Sequence, residues 1–333
     1  MTDQLLIAVL VAGIVALIVT RAVEGLARRR SLLDIPNDRS SHDVPTPRIG
    51  GLGIVVGTVI GWLFAAGWTD SGATIIVLAA LGLSAVGLLD DVRHTSVLGK
   101  YLAQLAAAAV VAGALQPTLT IGIGDGSWSV GGIPAFIATT VALTALVNAV
   151  NFMDGIDGLI GSVALVAALV ALGLVVPAAW PILIPFAAAC AGFLVWNHWP
   201  ASIFMGDGGS QFVGLILGAA LLRQEGGTVD VVPVLLLFSP LLFDTGFTLI
   251  RRARAGRDLF AGHREHLYQR VVIAGRSHRE VAAGYAVATA VAGFLALSWA
   301  AAPTVARIGM LAGVLLAGGL YAAWVARMEA TAA

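Results

Sequence analysis

The chain is poor in what a water-soluble protein of its length uses. Charged residues are 11% of its 333 positions, where a soluble domain carries about 25%. That excludes a soluble domain of any size. Lysine occurs once, as Lys100, against eighteen arginines. Cysteine also occurs once, so Cys190 cannot form an intrachain disulfide and no Cys-based metal site exists. Net charge is zero, which leaves no basic surface for nucleic acid, and none is expected as a partner. No internal repeat stands out. The first four residues lack a positive leader, and positive charge follows the first apolar run instead, at Arg28, Arg29 and Arg30. A cleaved signal has the reverse order, so this run reads as a membrane span that starts outside.

What the chain does have is apolar length. Hydrophobic residues make up 59% of it, and 40 glycines suit close helix packing in lipid. Segments of about 20 apolar residues, enough to cross a bilayer, recur throughout. Eleven spans are expected near 4–24, 50–68, 73–90, 98–115, 133–150, 158–176, 179–196, 208–222, 231–250, 280–301 and 304–325. The expected fold is all-α: one integral-membrane domain over 1–333 with ten to eleven transmembrane helices. With the N-terminus outside, seventeen of the nineteen basic residues fall on the inner side, and only Arg223 and Arg307 stay outside. The positive-inside rule supports that orientation and puts the C-terminus in the cytoplasm. The longest outer connection, 116–132, alternates around Asp125-Gly126 and reads as a small β-hairpin.

The inner connections hold nearly all the unusual residues. The most informative runs from Asn148 to Gly158 and contains Asn148, Asn151, Asp154 and Asp157 with two glycines. Polar groups at the end of a membrane helix are expensive and mark sites. Asp90-Asp91 ends one span and Lys100 begins the next. A further loop carries Asn197, Phe204 and Asp207-Gly208-Gly209. The last and most basic, 251–279, has His263, His266 and Arg270 at i, i+3, i+7, which a helix would set on one face. Leu267 and Val271 would then pack beside them on the membrane surface. The first loop, 25–49, has three prolines and reads as ordered but non-helical. Its Arg39, His42 and Arg48 either touch substrate or shape the loop. Under this topology every one of these acids lies on the same side as Lys100. Hard oxygen ligands beside cations suit a Mg-bound diphosphate.

Duller readings exist for each residue. An Asp pair at a helix C-terminus could be a solvated end, although the helix dipole disfavours it there. Asp-Gly pairs favour turns, and Asp207 could be a helix cap. Lys100 could snorkel to the interface, and Phe204 could be plain packing. Arg251, Arg252 and Arg254 are most simply topology determinants facing anionic lipid. Asp244, inside a late span, faces the cleft or caps a kink, and is given no role.

The runs at 148–159 and 203–210, together with Asp90-Asp91 and Lys100, resemble the polyprenyl-phosphate N-acetylhexosamine-1-phosphate transferases. This family starts O-antigen, common-antigen and teichoic-acid linkage units, and includes the peptidoglycan translocase as a relative. The resemblance implies Mg²⁺, with Mn²⁺ as the alternative, held by Asp207 and Asn151. It implies that Asp90 acts on the lipid phosphate, supported by Asp91, and that Lys100 holds phosphate. Phe204 is similar to the aromatic that stacks on uracil, and Asp157 and Asn197 match polar contacts to the uridine. Asp154, His263, His266 and Arg270 complete the implied substrate-binding set. The partners implied are undecaprenyl phosphate, a UDP-N-acetylhexosamine and the bilayer of the cytoplasmic membrane. Relatives commonly pair, which makes a homodimer an expectation of the resemblance alone. The reaction implied is transfer of the sugar phosphate with release of UMP. Whether the carboxylate orients the lipid phosphate or forms a phospho-enzyme stays open, as does the donor sugar. The translocase has adjacent histidines where this chain has His263-Arg-Glu-His266, which argues against a pentapeptide-bearing sugar. An ion-coupled transporter is the rival from another class, but its sites lie near the midplane between repeats.

Overall fold

The computed structural model describes residues 2–36, 44–93, 95–123, 126–259 and 262–332. Arg39, His42 and the Asp125 corner of the expected hairpin lie outside these. In chain order the elements are α1 (Thr2–Arg29), β1 (Leu33–Asp34), β2 (Thr46–Pro47), α2 (Leu52–Phe64), α3 (Ser71–Arg93) and α4 (Val97–Leu115). There follow β3 (Thr118–Gly122), β4 (Ser127–Val130), α5 (Gly132–Met153), α6 (Leu159–Ala171), α7 (Trp180–Asn197) and α8 (Gly206–Ala220). The chain closes with β5 (Thr228–Asp230), α9 (Val231–Leu237), α10 (Ser239–Arg254), α11 (Leu267–Ile273), α12 (His278–Ser298) and α13 (Thr304–Ala332).

Every predicted span finds a helix, but the count of full-length spans is lower than expected. Among the described residues seven helices are long and apolar enough to cross a membrane. The pair α9 and α10, bent by 78°, makes an eighth. Pro240 opens α10 and accounts for the break, because it has no N–H to continue the ladder of α9. The spans predicted near 50–68, 158–176 and 208–222 become helices of 13, 13 and 15 residues. At about 1.5 Å per residue these reach about 20 Å, short of a hydrocarbon core of about 30 Å. Each has a glycine (Gly51, Gly158 or Gly206) at the end where the polar loops gather, and there the chain leaves the helix.

Small residues set how closely the helices approach. Ala8, Ala12 and Ala16 recur every fourth residue on α1 and are fully buried. They face Gly53, Gly57 and Gly61 of α2, where a Cβ at Gly57 would sit 2.6 Å from the Ala12 carbonyl oxygen. Lipid offers no hydrophobic drive for helix pairing, so this backbone-to-backbone fit supplies the attraction.

The expected hairpin forms, with β3 and β4 antiparallel from Leu119 opposite Val130 to Gly122 opposite Ser127. It gains a third strand the sequence did not suggest: β5 pairs parallel with β3, Thr118 opposite Thr228. This sheet caps the end of the bundle that also holds Arg223, paired with Asp70, and Arg307. The polar loops gather at the opposite end, where β1 and β2 form a two-residue ladder.

Filling the α1–α2 seam should be costly. Gly57→Ala is expected to destabilise by about 1–3 kcal/mol, read as a lower unfolding temperature in detergent. Gly82→Ala on α3, which meets nothing within 4 Å, should leave it unchanged.

Candidate active site

Two adjacent acids end α3, and each finds a different partner. Asp90 turns to the loop that follows, accepting from Thr95 N at 2.6 Å and Thr95 Oγ1 at 2.7 Å. Ser96 then caps α4, its Oγ accepting from Gly99 N at 3.1 Å. That start puts Lys100 one turn into α4, where its Nζ donates to Asp90 Oδ2 at 2.8 Å. The same ammonium reaches Asp207 Oδ2 at 3.1 Å. Asp91 turns the other way and is buried, accepting from Asp207 N at 3.0 Å and Gly208 N at 3.1 Å. Those are orphan donors of the first turn of α8, so one helix end caps another, and the positive end of α8 meets a carboxylate. The Arg48 guanidinium donates to the Asp91 carbonyl and ties the first loop to the same corner.

On the far side of Asp207, Asn151 Nδ2 donates to Oδ1 at 3.0 Å and to Ser210 Oγ at 2.9 Å. Asp154 follows at the C-terminus of α5. Burial, reinforced by the charges of Asp207 and Asp91, pushes its carboxyl up to about 8. Asp90, Asp91, Lys100, Asn151, Asp154 and Asp207 therefore form one cluster drawn from α3, α4, α5 and α8. Among the described residues no three His, Cys, Asp or Glu side chains close into an all-protein metal cage.

Asp157 and Asn197 sit in the neighbouring wall as struts. Asn197, 4% exposed, donates to the Ile203 carbonyl at 2.9 Å and accepts from Gly158 N at 3.1 Å. Asp157 accepts from Ala201 N at 3.0 Å and lies 3.4 Å from His278 Nδ1. Together they hold the 154–158 and 198–205 loops in register. Phe204 is half-buried, its N–H donating to the Pro47 carbonyl and its carbonyl accepting from Gly50 N, both at 2.8 Å.

The last loop departs from expectation. No helix spans His263 to Arg270; α11 begins at Leu267, with His266 as its N-cap. Leu267 and Val271 are not on the membrane surface but buried in the bundle, at 0% and 3% exposure. The reason is Asp244, whose carboxylate accepts from Leu267 N at 2.8 Å and Tyr268 N at 3.0 Å and pulls the start of α11 inward. His266 is buried, with Nδ1 3.2 Å from Asp244, and His263 stacks on it at 5.0 Å. Arg270 pairs with Glu329 near the chain's C-terminus. Arg251 and Arg252, read as topology determinants, converge with Arg257 on Glu265. Asp244, Glu265 and Glu329 went unassigned in the sequence. Only Asp244 carried a signal there, as a charge inside an apolar span.

A helical bundle with acids from three helices gathered around the lysine of a fourth at one end defines a multi-pass membrane enzyme. The chain belongs to glycosyl transferase family 4, whose model matches residues 73–225, and is a transferase. It is 32% identical over 320 residues to a decaprenyl-phosphate N-acetylglucosaminephosphotransferase of Mycobacterium leprae, covering 82% of this chain and 78% of that one. A probable undecaprenyl-phosphate N-acetylglucosaminyl 1-phosphate transferase of Bacillus subtilis is 32% identical over 294 residues, covering 84% and 81%. A phospho-N-acetylmuramoyl-pentapeptide-transferase of Deinococcus radiodurans is 34% identical over 192 residues, covering 53% of this chain and 61% of that one. The membership agrees with the resemblance of the loop motifs.

Two stability effects follow from this geometry. Asp91→Ala strips the α8 N-terminus of its cap and should cost about 1–2 kcal/mol, whereas Asp91→Asn, which keeps one acceptor, should cost less; thermal unfolding in detergent measures both. Burial, with His266 and Arg252 nearby, pushes the His263 imidazole down to about 4 from an ordinary 6.5. The folded protein then binds fewer protons here than the unfolded chain. The contribution is complete above the unfolded value and is lost as pH falls from about 6.5 through about 4. His263→Gln should flatten the acid side of a stability–pH curve over that window.

Proposed function

We propose that the protein transfers an N-acetylhexosamine 1-phosphate, N-acetylglucosamine 1-phosphate first among them, from a UDP-linked donor to undecaprenyl phosphate or a similar polyprenyl phosphate. The observation that carries this is the ammonium of Lys100 bonded to both Asp90 and Asp207. Three charges from three helices meet there at the open end of the bundle, a setting suited to gathering two phosphorylated substrates. The names of the mycobacterial and Bacillus relatives support the acceptor and the sugar. The concentration of basic residues at this end supports a cytoplasmic-facing site in the inner membrane. A cavity of about 390 Å³ between α4, α5 and α10, walled by Leu105, Val141, Leu242 and Leu249, supports a polyprenyl chain lying beside the site.

In this reading an oxygen of the lipid phosphate attacks the sugar-side phosphorus of the donor. The bond from that phosphorus to the bridging oxygen breaks, the electron pair leaves with UMP, and a new P–O–P bond joins sugar phosphate to lipid phosphate. A phosphate monoester has a second pKa of about 6, so the acceptor needs no strong base at neutral pH. Asp90 orients it, and Lys100 offsets charge as it moves to the leaving group. Phe204 stacks on the uracil. Asp157 and Asn197 act by holding the loops that wall the uridine pocket, since their own hydrogen bonds are taken. His263 faces the diphosphate from the last loop.

A divalent cation fits the residues present. Asp207 and Asn151 would hold it, with the half-buried Asp154, whose carboxyl burial and the charges of Asp207 and Asp91 push upward, close by. Mg²⁺ takes one or two protein oxygens and completes its shell from water and substrate phosphates, so an open donor set suits it. When bound it neutralises charge on the diphosphate.

Purified protein should release UMP from UDP-N-acetylglucosamine only when polyprenyl phosphate is added, and a panel of UDP-sugars fixes the donor. UMP release that ignores the lipid would overturn the reading. Asp207→Asn should lose about 10²–10³-fold in turnover while staying folded, and chelation should stop the wild type until Mg²⁺ is restored. Asp90→Asn should lose turnover by a comparable factor with donor affinity unchanged within twofold; a large loss of donor affinity at normal turnover would sink its role.

A further inference from the structure

Asp244 lies on α10, inside the bundle, with 1% of its surface exposed. An isolated carboxylate in that position would be costly, and buried acids in membrane helices carry a function or a partner. This one has five donors: Leu267 N at 2.8 Å, Tyr268 N at 3.0 Å, His266 Nδ1 at 3.2 Å, Tyr285 Oη at 2.5 Å and Thr248 Oγ1 at 3.4 Å. Three of the five belong to consecutive residues of one segment, 266–268. The carboxylate is thus the receptor for the first turn of α11.

The segment so held touches the catalytic end of α5. Tyr268, fully buried, donates its hydroxyl to the Phe152 carbonyl at 3.0 Å, two residues before Asp154. The fit leaves no slack, because a Cβ on Gly155 would lie 2.1 Å from Tyr268 Oη. His266 in turn carries the half-buried His263 ring stacked on it at 5.0 Å. A continuous chain of contacts therefore runs from Asp244 through α11 to the 152–155 turn on one side and to His263 on the other. A seven-residue helix does not hold itself in place, so its position must come from such anchors.

We propose that Asp244 is a positioning residue for donor binding: it fixes the 263–268 segment against the 152–155 turn so that the wall presenting His263 is already formed when the nucleotide sugar arrives. This rests on the transferase reading above. The cavity assigned above to the lipid acceptor is walled in part by α10, through Leu242 and Leu249, but neither Asp244 nor the 263–268 segment lines it. Asp244 therefore acts on one substrate and not the other, which a merely structural carboxylate would not do.

The test uses the full-length protein in detergent. Asp244→Asn should raise the KM for UDP-N-acetylglucosamine about tenfold and leave the KM for polyprenyl phosphate within twofold. Tyr268→Phe, which removes one hydroxyl and keeps the packing, should shift the donor KM in the same direction by a smaller factor; it decides the matter if Asp244→Asn is not recovered folded. Hydrogen exchange supplies a readout independent of turnover. Amides of 266–271 should exchange faster in Asp244→Asn while those of 206–211 stay as in the wild type. Equal rises in both KM values, an unchanged donor KM, or exchange that is unaltered or spreads into 206–211 would overturn the proposal. A wild type that releases no UMP would instead defeat the transferase reading, and the exchange data would still show whether Asp244 anchors the segment.

Discussion

Two negative charges at the C-terminus of a helix oppose that helix's own dipole. The structure tolerates Asp90 and Asp91 there because each is answered from outside α3. Asp91 receives the first N–H groups of α8, and Asp90 receives Thr95 and the Lys100 ammonium. The rest of the site hangs on this exchange. It fixes the angle at which α8 enters, and hence where the Asp207 carboxylate stands between Lys100 and Asn151. It also makes the acids interdependent, since Lys100 cannot bond Asp90 and Asp207 together unless Asp91 has already drawn α8 against the end of α3.

The same economy shapes the bundle. The helices that bring polar loops to the site, α2, α6 and α8, are the short ones, each stopped by a glycine at the site end. α1 and α13, which send no side chain into the cluster, are long enough to cross a membrane, as are α3 and α5, which reach it with their last turns. Polar backbone released at membrane depth must find partners inside the protein. The struts Asn197 and Asp157, and the pairing of Phe204 with Pro47 and Gly50, provide them.

Much of this was legible in the sequence, for physical reasons that can be named. Charged and amide side chains are so rare in apolar spans that Asp90, Asp91, Lys100, Asn151 and Asp207 stood out, and the alternation of spans placed them on one side. The hairpin at 118–130 was readable from its alternation. What stayed hidden depends on distance along the chain. The parallel partner β5 lies about a hundred residues from β3, and three residues carry no periodicity. The spacing of His263, His266 and Arg270 fitted a helix, yet the acceptor that decides where α11 starts is Asp244, more than twenty positions earlier. Nothing in the sequence singled out Glu265 or Glu329, and only the fold shows that they neutralise arginines. Two span lengths were overestimated at the far ends, where α2 stops at Phe64 and α6 at Ala171, because apolar residues continue past both ends and hydropathy does not report where a helix stops.

The sheet at the far end bears on how the chain is assembled. Thr120 Oγ1 donates to the Val229 carbonyl across 109 positions of sequence. A polypeptide delivered to the bilayer from its N-terminus makes the β3–β4 ribbon early and keeps one border of it open while α5 to α8 are laid in. Only the arrival of 228–230 seals that border. The ribbon thus joins the first half of the polypeptide to the second only once 228–230 has been made.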